Sequence, residues 1–355
     1  MKLAILGIDL AKSVFHLHGA DAHGHAMLRK RLSRSQLPAF LANLPRCTVA
    51  MEACGSAHHW TREIAHLGHA VRLINPQFVK AFVKSNKNDR NDAEAICEAA
   101  TRPSMRFVPV KSVEQQETQQ LHRARAQLIK NLCGLANHMR GFLTEHGIIV
   151  AKGFAPLRRA LPELLEQPEL NPLFRELLGE MAERFRLLEE RRLRYDKLIE
   201  RVYRADERCQ RLGQIEGVGP ITATALVAAI GDGKAFNTGR HVSAWLGLTP
   251  RQYSTASRTV LLRISKRGDQ YLRMLMVEGA RSAIVAAARK SDPRSRWITG
   301  LAAKRGPCVT AVAVANRNAR ICWALLARGE SYRAAATSGK LRMVPLSAAE
   351  KNRIG

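Results

Sequence analysis

The chain has 355 residues and a formal net charge of +27, and 46% of its residues are hydrophobic. That apolar content supports two or three folded domains and excludes a disordered basic tail, while an aromatic content of only 5% argues against a single-strand binder built on stacked bases. Residues 206–355 carry 25 Lys and Arg against 9 Asp and Glu. This part is therefore predicted to be the main polyanion-binding surface, the alternative being a surface that only aids solubility.

Cysteine usage and the N-terminus both indicate a cytoplasmic protein. The seven cysteines include no Cys-x-x-Cys pair, which is typical of reduced thiols in a core. The first apolar run contains Asp9, unlike a signal peptide, and no stretch approaches the ~18 apolar residues of a membrane span. The twelve histidines show no zinc-site spacing with cysteine, and we assign them to packing or to the surface.

Residues 1–110 alternate between short apolar runs and helical patterns, which predicts an α/β layer fold with a mixed sheet. Strands are expected at 3–9, 13–19, 26–32, 48–52 and 71–74. Helices are expected near 35–44, at 57–67 and from Asp89 to about Arg102.

Four carboxylates end or begin these elements. Asp9 and Glu52 each end a buried strand, whereas Asp89 and Asp92 lie three residues apart at a helix start and so can share a face. Four converging negative charges are unfavourable unless a cation neutralises them, and carboxylate oxygens suit Mg²⁺ or, alternatively, Mn²⁺. In a basic chain this pattern predicts metal-assisted chemistry on nucleic-acid phosphates. The alternative is that each acid has a separate role in a turn or a helix cap.

Residues 111–205 contain two long charged patterns, 111–146 and 173–204, separated by a segment with four prolines. This predicts an antiparallel coiled arm, or alternatively an ordinary helical linker. Residues 206–330 are predicted to be mainly helical, with one irregular polar stretch at 250–260. The tail 331–355 is basic and rich in Ala, Ser and Gly, and it is expected to be mobile.

The segment Ile215–Pro220 places Gly217 and Gly219 just before a helix that begins at Pro220. Glycines permit a tight turn, proline suits the first helical position, and the free amides of a helix start can hold a phosphate. The pattern is similar to the hairpin of a helix-hairpin-helix module, which binds nucleic-acid backbones. The alternative is a purely structural helix junction.

A second polar segment, 246–273, places hydroxyl groups among cationic side chains. A serine there needs an activating neighbour to become a nucleophile, and guanidinium groups can stabilise a phosphoryl transition state. The residues alone leave two readings open, a nucleophilic serine or a phosphate-binding loop. The candidate nucleic-acid-binding cations are Arg251, Arg258, Lys266, Arg267 and Arg273.

The chain resembles bacterial insertion-sequence transposases that have an N-terminal RuvC-like DEDD domain and a C-terminal serine-bearing domain, the RNA-guided bridge or seeker RNA recombinases. The resemblance runs from about residue 4 to residue 330. Its motifs are Gly7–Lys12, Met51–Gly55, Ile74–Pro76, Lys87–Ala93, Ile215–Pro220, Gly247–Gln252 and Ile264–Asp269.

The resemblance implies an RNase H-like domain at 1–110, a helical arm at 111–205, a serine transposase domain at 206–330 and a tail at 331–355. Its four acids fall on Asp9, Glu52, Asp89 and Asp92 as Mg²⁺ ligands, and its nucleophilic serine falls on Ser254. It implies excision and insertion of DNA through a serine-linked intermediate. An RNA encoded by the element would guide it to donor and target DNA, and dimers would pair into a tetramer in which each active site draws on two subunits.

One departure concerns the loop after Ser254. Members of the family often have two glycines shortly after the serine, whereas this chain has Ala256 and Ser257. Ser257 is therefore a rival nucleophile, and Thr255 a weaker one.

Two other functions fit the residues. The first is a metal-dependent, structure-specific nuclease resembling a Holliday-junction resolvase, in which the acids activate water and Ser254 only binds phosphate. The second is a protein that packages RNA or DNA by charge alone.

Overall fold

The computed structural model describes residues 3–84, 88–255 and 258–332. The chain divides into two compact units, residues 1–112 and 113–355, so the predicted arm falls in one unit with the C-terminal helices. Ser257 lies outside the described residues, as does the predicted tail from residue 333 onward. Among the described residues, no helix is long and apolar enough to cross a membrane.

The first unit is built on a mixed six-stranded sheet, which confirms the predicted α/β architecture. Its strands are β1 (Ile5–Leu10), β2 (Val14–Ala20), β3 (Ala26–Ser33), β4 (Thr48–Glu52), β5 (Ala70–Ile74) and β6 (Phe107–Val108). Its helices are α1 (Gln36–Ala42), α2 (Ala57–His66), α3 (Pro76–Val79) and α4 (Asp89–Thr101), with a 3₁₀ turn at Lys80–Phe82. The strand order is β3-β2-β1-β4-β5-β6. Strands β1, β4 and β5 are parallel, and the other pairs are antiparallel.

Helices cover both faces of this sheet, which explains why its central strands are apolar throughout. On one face, Leu6 and Met51 pack with Trp60 of α2. On the other face, Ala50 packs with Ile96 of α4. The site described below lies at the carboxyl ends of β1 and β4, where α4 begins.

The second unit is almost entirely helical. Its helices are α5 (Val113–Glu145), α6 (Phe154–Glu166), α7 (Pro172–Ala205), α8 (Glu207–Gly213), α9 (Pro220–Ile230), α10 (Gly239–Trp245), α11 (Gln270–Ala287), α12 (Pro293–Arg305) and α13 (Pro307–Arg328). Its one described sheet is a hairpin of β7 (Pro250–Thr255) and β8 (Arg258–Ile264).

Helices α5 and α7 run antiparallel. Arg125 pairs with Asp196 at a distance of 2.5 Å, and the rings of His146 and Phe174 stack 3.9 Å apart at the other end. The predicted proline-rich connection contains a helix, α6, which its sequence pattern does not indicate because Pro162 lies inside it. The buried leucines of α6 complete a shared core with α5 and α7.

The N-terminal half of α5 packs on α9 through a buried histidine. The His122 side chain is only 2% exposed, and its ring nitrogens lie 3.0 Å from Tyr271 Oη and 2.9 Å from Thr224 Oγ1. Burial, and then the positive charge of Arg125, lowers the pKa of His122 to about 4. The unit therefore holds a neutral imidazole at neutral pH.

Because the pKa of His122 is lowered in the folded protein, we expect the protein to lose stability in acid. In the unfolded chain this histidine has a pKa of about 6.5 and binds a proton below that pH. In the folded chain it binds the proton only near pH 4, so acid favours the unfolded chain. Its contribution is complete above pH 6.5 and falls by at most ~1.4 kcal/mol per pH unit down to pH 4. Urea unfolding of wild type and His122→Gln at pH 7 and pH 5 should show a smaller acid loss for the variant. Equal losses would contradict this account.

Candidate functional site

Asp9 and Glu52 lie on neighbouring parallel strands. The register of β1 and β4 pairs Ile8 with Met51, so the two acids follow at the same edge of the sheet. Both side chains are half-buried. Partial desolvation, and then the negative charges of Glu52 and Asp9, raises the pKa of the nearby Cys54 thiol. This thiol is therefore kept protonated beside two carboxylates.

Helix α4 presents the other two acids in its first turn. Asn88 caps the helix, because its side chain accepts a hydrogen bond of 2.8 Å from the backbone amide of Asn91. Asp89 and Asp92 then occupy the turn where the helix dipole favours negative charge. Asp89 is exposed, whereas Asp92 is half-buried.

Three of the four predicted acids converge on one point. One carboxylate oxygen from each of Asp9, Asp89 and Asp92 lies within 4.8 Å of the other two. Glu52 is not a member of this group, although it ends the strand beside Asp9. The three carboxylates form an all-oxygen donor set with a strong mutual repulsion, which is the environment that a hard divalent cation stabilises. We call these three residues the acidic cluster.

The cluster depends on the close approach of α4 to β1 at Gly7. A Cβ atom at Gly7 would lie 2.4 Å from the carbonyl oxygen of Ala93 and 2.7 Å from the amide nitrogen of Cys97. Both are backbone atoms of α4, so neither can move without the helix. Gly7 therefore fixes the distance between the strand that carries Asp9 and the helix that carries Asp92.

Gly7→Ala is expected to lower the free energy of unfolding by about 3 kcal/mol, the upper range for overpacking a core. It should also weaken any stabilisation by divalent cations, since α4 must shift away from Asp9. Gly55→Ala is the matched control, because a Cβ atom there would meet nothing within 4 Å. Urea unfolding with and without Mg²⁺ measures both effects. Equal stability of the two variants would show that α4 adjusts without cost.

A histidine that was predicted to be a packing or surface residue lies beside this cluster. His16 is paired with Asp9 across β1 and β2, and its Nδ1 atom lies 3.5 Å from Asp89 Oδ2. The alternating pattern of His16 and His18 on a strand indicates a shared face. Only the docking of α4 on that face shows which carboxylate is near.

In the second unit, the segment with Gly217 and Gly219 connects α8 and α9. The backbone of Gly217 has a φ of +88°, and a Cβ atom there would lie 2.5 Å from the carbonyl oxygen of Gly279 in α11. The carbonyl oxygen of Glu216 accepts hydrogen bonds from the side chains of Arg294 and Asn318, at 3.2 and 3.1 Å. Gly219 is the N-cap of α9. The turn thus has a structural role in helix packing, and backbone binding by its amides stays a prediction.

The stretch predicted to be an irregular polar loop at 250–260 is instead the β7–β8 hairpin, so that prediction was wrong. Every residue of β7 is exposed. A strand with two solvated faces has no apolar alternation to mark it in the sequence. Ser254 therefore lies on a strand, and its Oγ accepts a hydrogen bond of 2.8 Å from the Gln252 side-chain amide.

The register of the hairpin places Ser254 and Arg258, one of the predicted nucleic-acid-binding cations, on different faces. Thr255 is paired with Arg258, and successive residues of a strand point to opposite faces. Arg258 is therefore on the face of the hairpin opposite to Ser254.

The remaining predicted nucleic-acid-binding cations differ in their surroundings. Arg251, Lys266 and Arg267 have exposed side chains. Arg273 instead donates hydrogen bonds to the carbonyl oxygens of Leu246 and Arg267, at 3.2 and 3.0 Å. Arg273 therefore braces the segment that presents the exposed cations.

Comparison with known proteins identifies the family. The model of the DEDD transposase domain of IS110 elements, described as "Transposase", matches residues 6–148. A second model, "Transposase IS116/IS110/IS902 family", matches residues 209–296. The chain is 51% identical over 336 residues to a "Probable family 20 transposase" of Pseudomonas aeruginosa, covering 94% of this chain and 99% of the relative. This chain belongs to the IS110/IS116/IS902 family of transposases.

Two further relatives are transposases of named insertion sequences. The transposase for IS1111A of Coxiella burnetii is 44% identical, over 94% of this chain and 92% of the relative. The transposase for IS1328 of Yersinia enterocolitica is 43% identical, over 93% and 98%. The transposase described here is accordingly an enzyme that cleaves and rejoins DNA. Its DEDD-type domain and its acidic cluster indicate the use of a divalent cation.

Proposed function

We propose that the first unit of this transposase is an RNase H-like, RuvC-like domain whose acidic cluster, together with Glu52, holds Mg²⁺ at a DNA phosphate. The observation that carries the proposal is the convergence of Asp9, Asp89 and Asp92 within 4.8 Å. An all-carboxylate donor set fits Mg²⁺ and also admits Mn²⁺. When bound, the cation neutralises charge on the phosphate and orients it.

The residues of the chain hold this site from two rigid elements. Asp9 belongs to a central strand, and the α4 acids are fixed by the Asn88 cap and by the contact at Gly7. Glu52 ends the next strand, beside Asp9, and we propose that its carboxylate joins the three others at a cation bound at the same sheet edge. Such pre-organisation lets the carboxylates receive the cation without a change of backbone.

We propose that Ser254 is the nucleophile of strand cleavage. A bond forms between its Oγ and the DNA phosphorus as one phosphorus–oxygen bond of the backbone breaks, and the hydroxyl proton ends on the departing DNA oxygen. The phosphoserine retains the energy of the phosphodiester, so a DNA hydroxyl can reverse the step and join a new strand. Such an intermediate allows rejoining without an external energy source, whereas hydrolysis of the same bond would discard that energy.

The exposed position of the hairpin supports this role, because DNA can reach Ser254 without unfolding of the unit. Arg251, Lys266 and Arg267 are proposed to hold the DNA backbone by charge, with Arg258 reaching it from the other face of the hairpin. The amides around Gly217 and Gly219 are proposed to bind a further phosphate.

We propose that an RNA encoded by the element pairs with donor and target DNA, and that the transposase acts as a homo-oligomer. These two points rest on the resemblance described above. A basic protein surface that holds nucleic-acid backbones suits this division of labour, because base pairing then supplies the sequence specificity.

A denaturing gel tests the proposed function. The transposase, purified with its co-purifying RNA, is incubated with labelled element-end DNA and Mg²⁺. A labelled band that protease shifts indicates a covalent protein–DNA adduct and supports the proposal. Intact DNA in the presence of bound protein would support a packaging role instead.

One observation favours a second candidate, the structure-specific nuclease. The hydrogen bond found at Ser254 Oγ comes from a neutral amide, which does not activate a hydroxyl as a base would. In this alternative the acidic cluster positions water, and Ser254 only binds phosphate. Free nicked ends in the same gel, with no adduct, would identify this activity.

A further inference from the structure

His16 occupies an unusual position for a half-buried imidazole. It lies directly across the antiparallel pair from Asp9, so the two side chains share a face of the sheet. The side chain is only 22% exposed, and its Nδ1 atom is enclosed without a hydrogen-bond partner. An enclosed ring nitrogen without a partner costs free energy, so a hydrogen bond to a nearby group would stabilise it.

A carboxylate of the acidic cluster lies close to this nitrogen. Asp89 Oδ2 lies 3.5 Å from His16 Nδ1, a separation slightly too long for a good hydrogen bond. The Asp89 side chain is 63% exposed and begins α4, whereas Asp9 and Asp92 are half-buried. Asp89 is therefore the member of the cluster that its own surroundings restrain least. A side-chain rotation that moves the Asp89 carboxylate oxygen by well under 1 Å would bring it within hydrogen-bond distance of His16 Nδ1.

We propose that His16 is a positioning residue for the cation site, and that it acts through Asp89. In this arrangement the imidazole carries a proton on Nδ1, and this N–H donates to Asp89 Oδ2, which fixes the carboxylate with its other oxygen toward the cation. Carboxylate ligands commonly have such outer partners, whose loss weakens metal binding. The inference rests on the proposed cation site at the acidic cluster and adds the residue that orders it.

The next histidine on the strand supplies a matched comparison. His18 has the same kind of enclosed Nδ1 atom, 3.8 Å from Glu94 Oε2. Glu94 lies outside the acidic cluster and is bound by Arg29 and Lys84, at 3.4 and 3.6 Å. Removal of His18 therefore changes the same strand and helix contact without changing a carboxylate of the cluster.

The test compares His16→Leu, His16→Asn and His18→Leu in the full chain. Leucine removes the donor at similar size, whereas asparagine places an amide nitrogen near the position of Nδ1. Thermal unfolding titrated with Mg²⁺, in the absence of DNA, gives the apparent cation affinity of each. We expect a loss of about tenfold or more for His16→Leu. His16→Asn and His18→Leu should remain close to the wild type.

Three results would overturn the inference. The first is a wild-type cation affinity in His16→Leu, and the second is an equal loss of affinity in His18→Leu. The third is a ¹⁴N coupling to bound Mn²⁺ that disappears in His16→Leu, because such a coupling would make His16 a direct ligand. Nitrogen NMR of the wild-type imidazole decides the matter if His16→Leu does not fold, because a proton on Nε2 rather than Nδ1 is incompatible with the proposed bond. If the wild type itself does not respond to Mg²⁺, the proposed cation site is refuted. That outcome is distinguishable from a failure of the inference about His16, in which the wild type still responds.

Discussion

Ser254→Ala is expected to bind RNA and DNA as the wild type does and to form no covalent protein–DNA adduct. The side chain lies on an exposed strand, and its one described hydrogen bond is to Gln252. Loss of the hydroxyl should therefore change the free energy of unfolding by less than about 0.5 kcal/mol. The loss of cleavage, in contrast, should be complete, because the substitution removes the oxygen that is proposed to attack the phosphate.

Two neighbouring hydroxyls provide controls for this experiment. Thr255→Val removes the adjacent hydroxyl on the opposite face of the hairpin and should leave adduct formation intact. Ser257→Ala should also retain the adduct. Peptide mapping of the trapped adduct identifies the attached residue directly. A link on Ser257 would move the nucleophile by three positions but keep the mechanism, whereas free ends produced by Ser254→Ala with Mg²⁺ would establish the nuclease.

Asp9→Ala is expected to abolish DNA cleavage while leaving the fold and RNA binding nearly intact. A cation that stabilises the charge of a phosphoryl transition state contributes several kcal/mol, so the rate should fall by about a thousandfold or more. Removal of one of three crowded carboxylates relieves repulsion. The stability of the cation-free protein should therefore not fall much and should tend to rise. Asp89→Asn is expected to behave in the same way.

Thermal unfolding separates this effect from a loss of structure. A cation at a hundredfold its dissociation constant stabilises the folded state by about 2.7 kcal/mol, and this gain should be much smaller in Asp9→Ala. Glu63→Gln is the control, since it removes an exposed carboxylate of α2 in the same unit. An equal response to Mg²⁺ in wild type and Asp9→Ala would rule out the proposed site.

Both variants together test the division of labour between the two units. The acidic cluster belongs entirely to the first unit and Ser254 to the second. If both variants bind DNA but neither cleaves it, cation and serine act in one reaction. If Asp9→Ala still forms the adduct, the cation serves a different step from strand cleavage.

Much of the first unit follows from the sequence because its signals are local. The apolar runs ending at Asp9 and Glu52 mark central strands, since strands buried on both faces need no alternation. Asn88 followed by Asp89 and Asp92 marks a capped helix start whose acids share a face. Those patterns sufficed to predict the central strands, the start of α4 and the convergence of Asp9, Asp89 and Asp92, although Glu52 was expected in the same group and is not part of it.

Other features depended on contacts between distant segments. The sequence does not show that α4 docks close enough for Asp89 to meet His16, because the clearance at Gly7 is a property of the packed pair. It also does not show that Arg273 is engaged with backbone carbonyls.

The hairpin and the acidic cluster show which features the sequence determines and which depend on the tertiary structure. Residue types and their spacing determined which side chains can do chemistry, because charge, hydroxyl groups and capping are properties of a few neighbouring residues. Strand register decided that Arg258 faces away from Ser254, and helix docking decided that three acids rather than four form the tight group. Register and docking are set by the cooperative packing of many side chains, so only the tertiary structure could decide them.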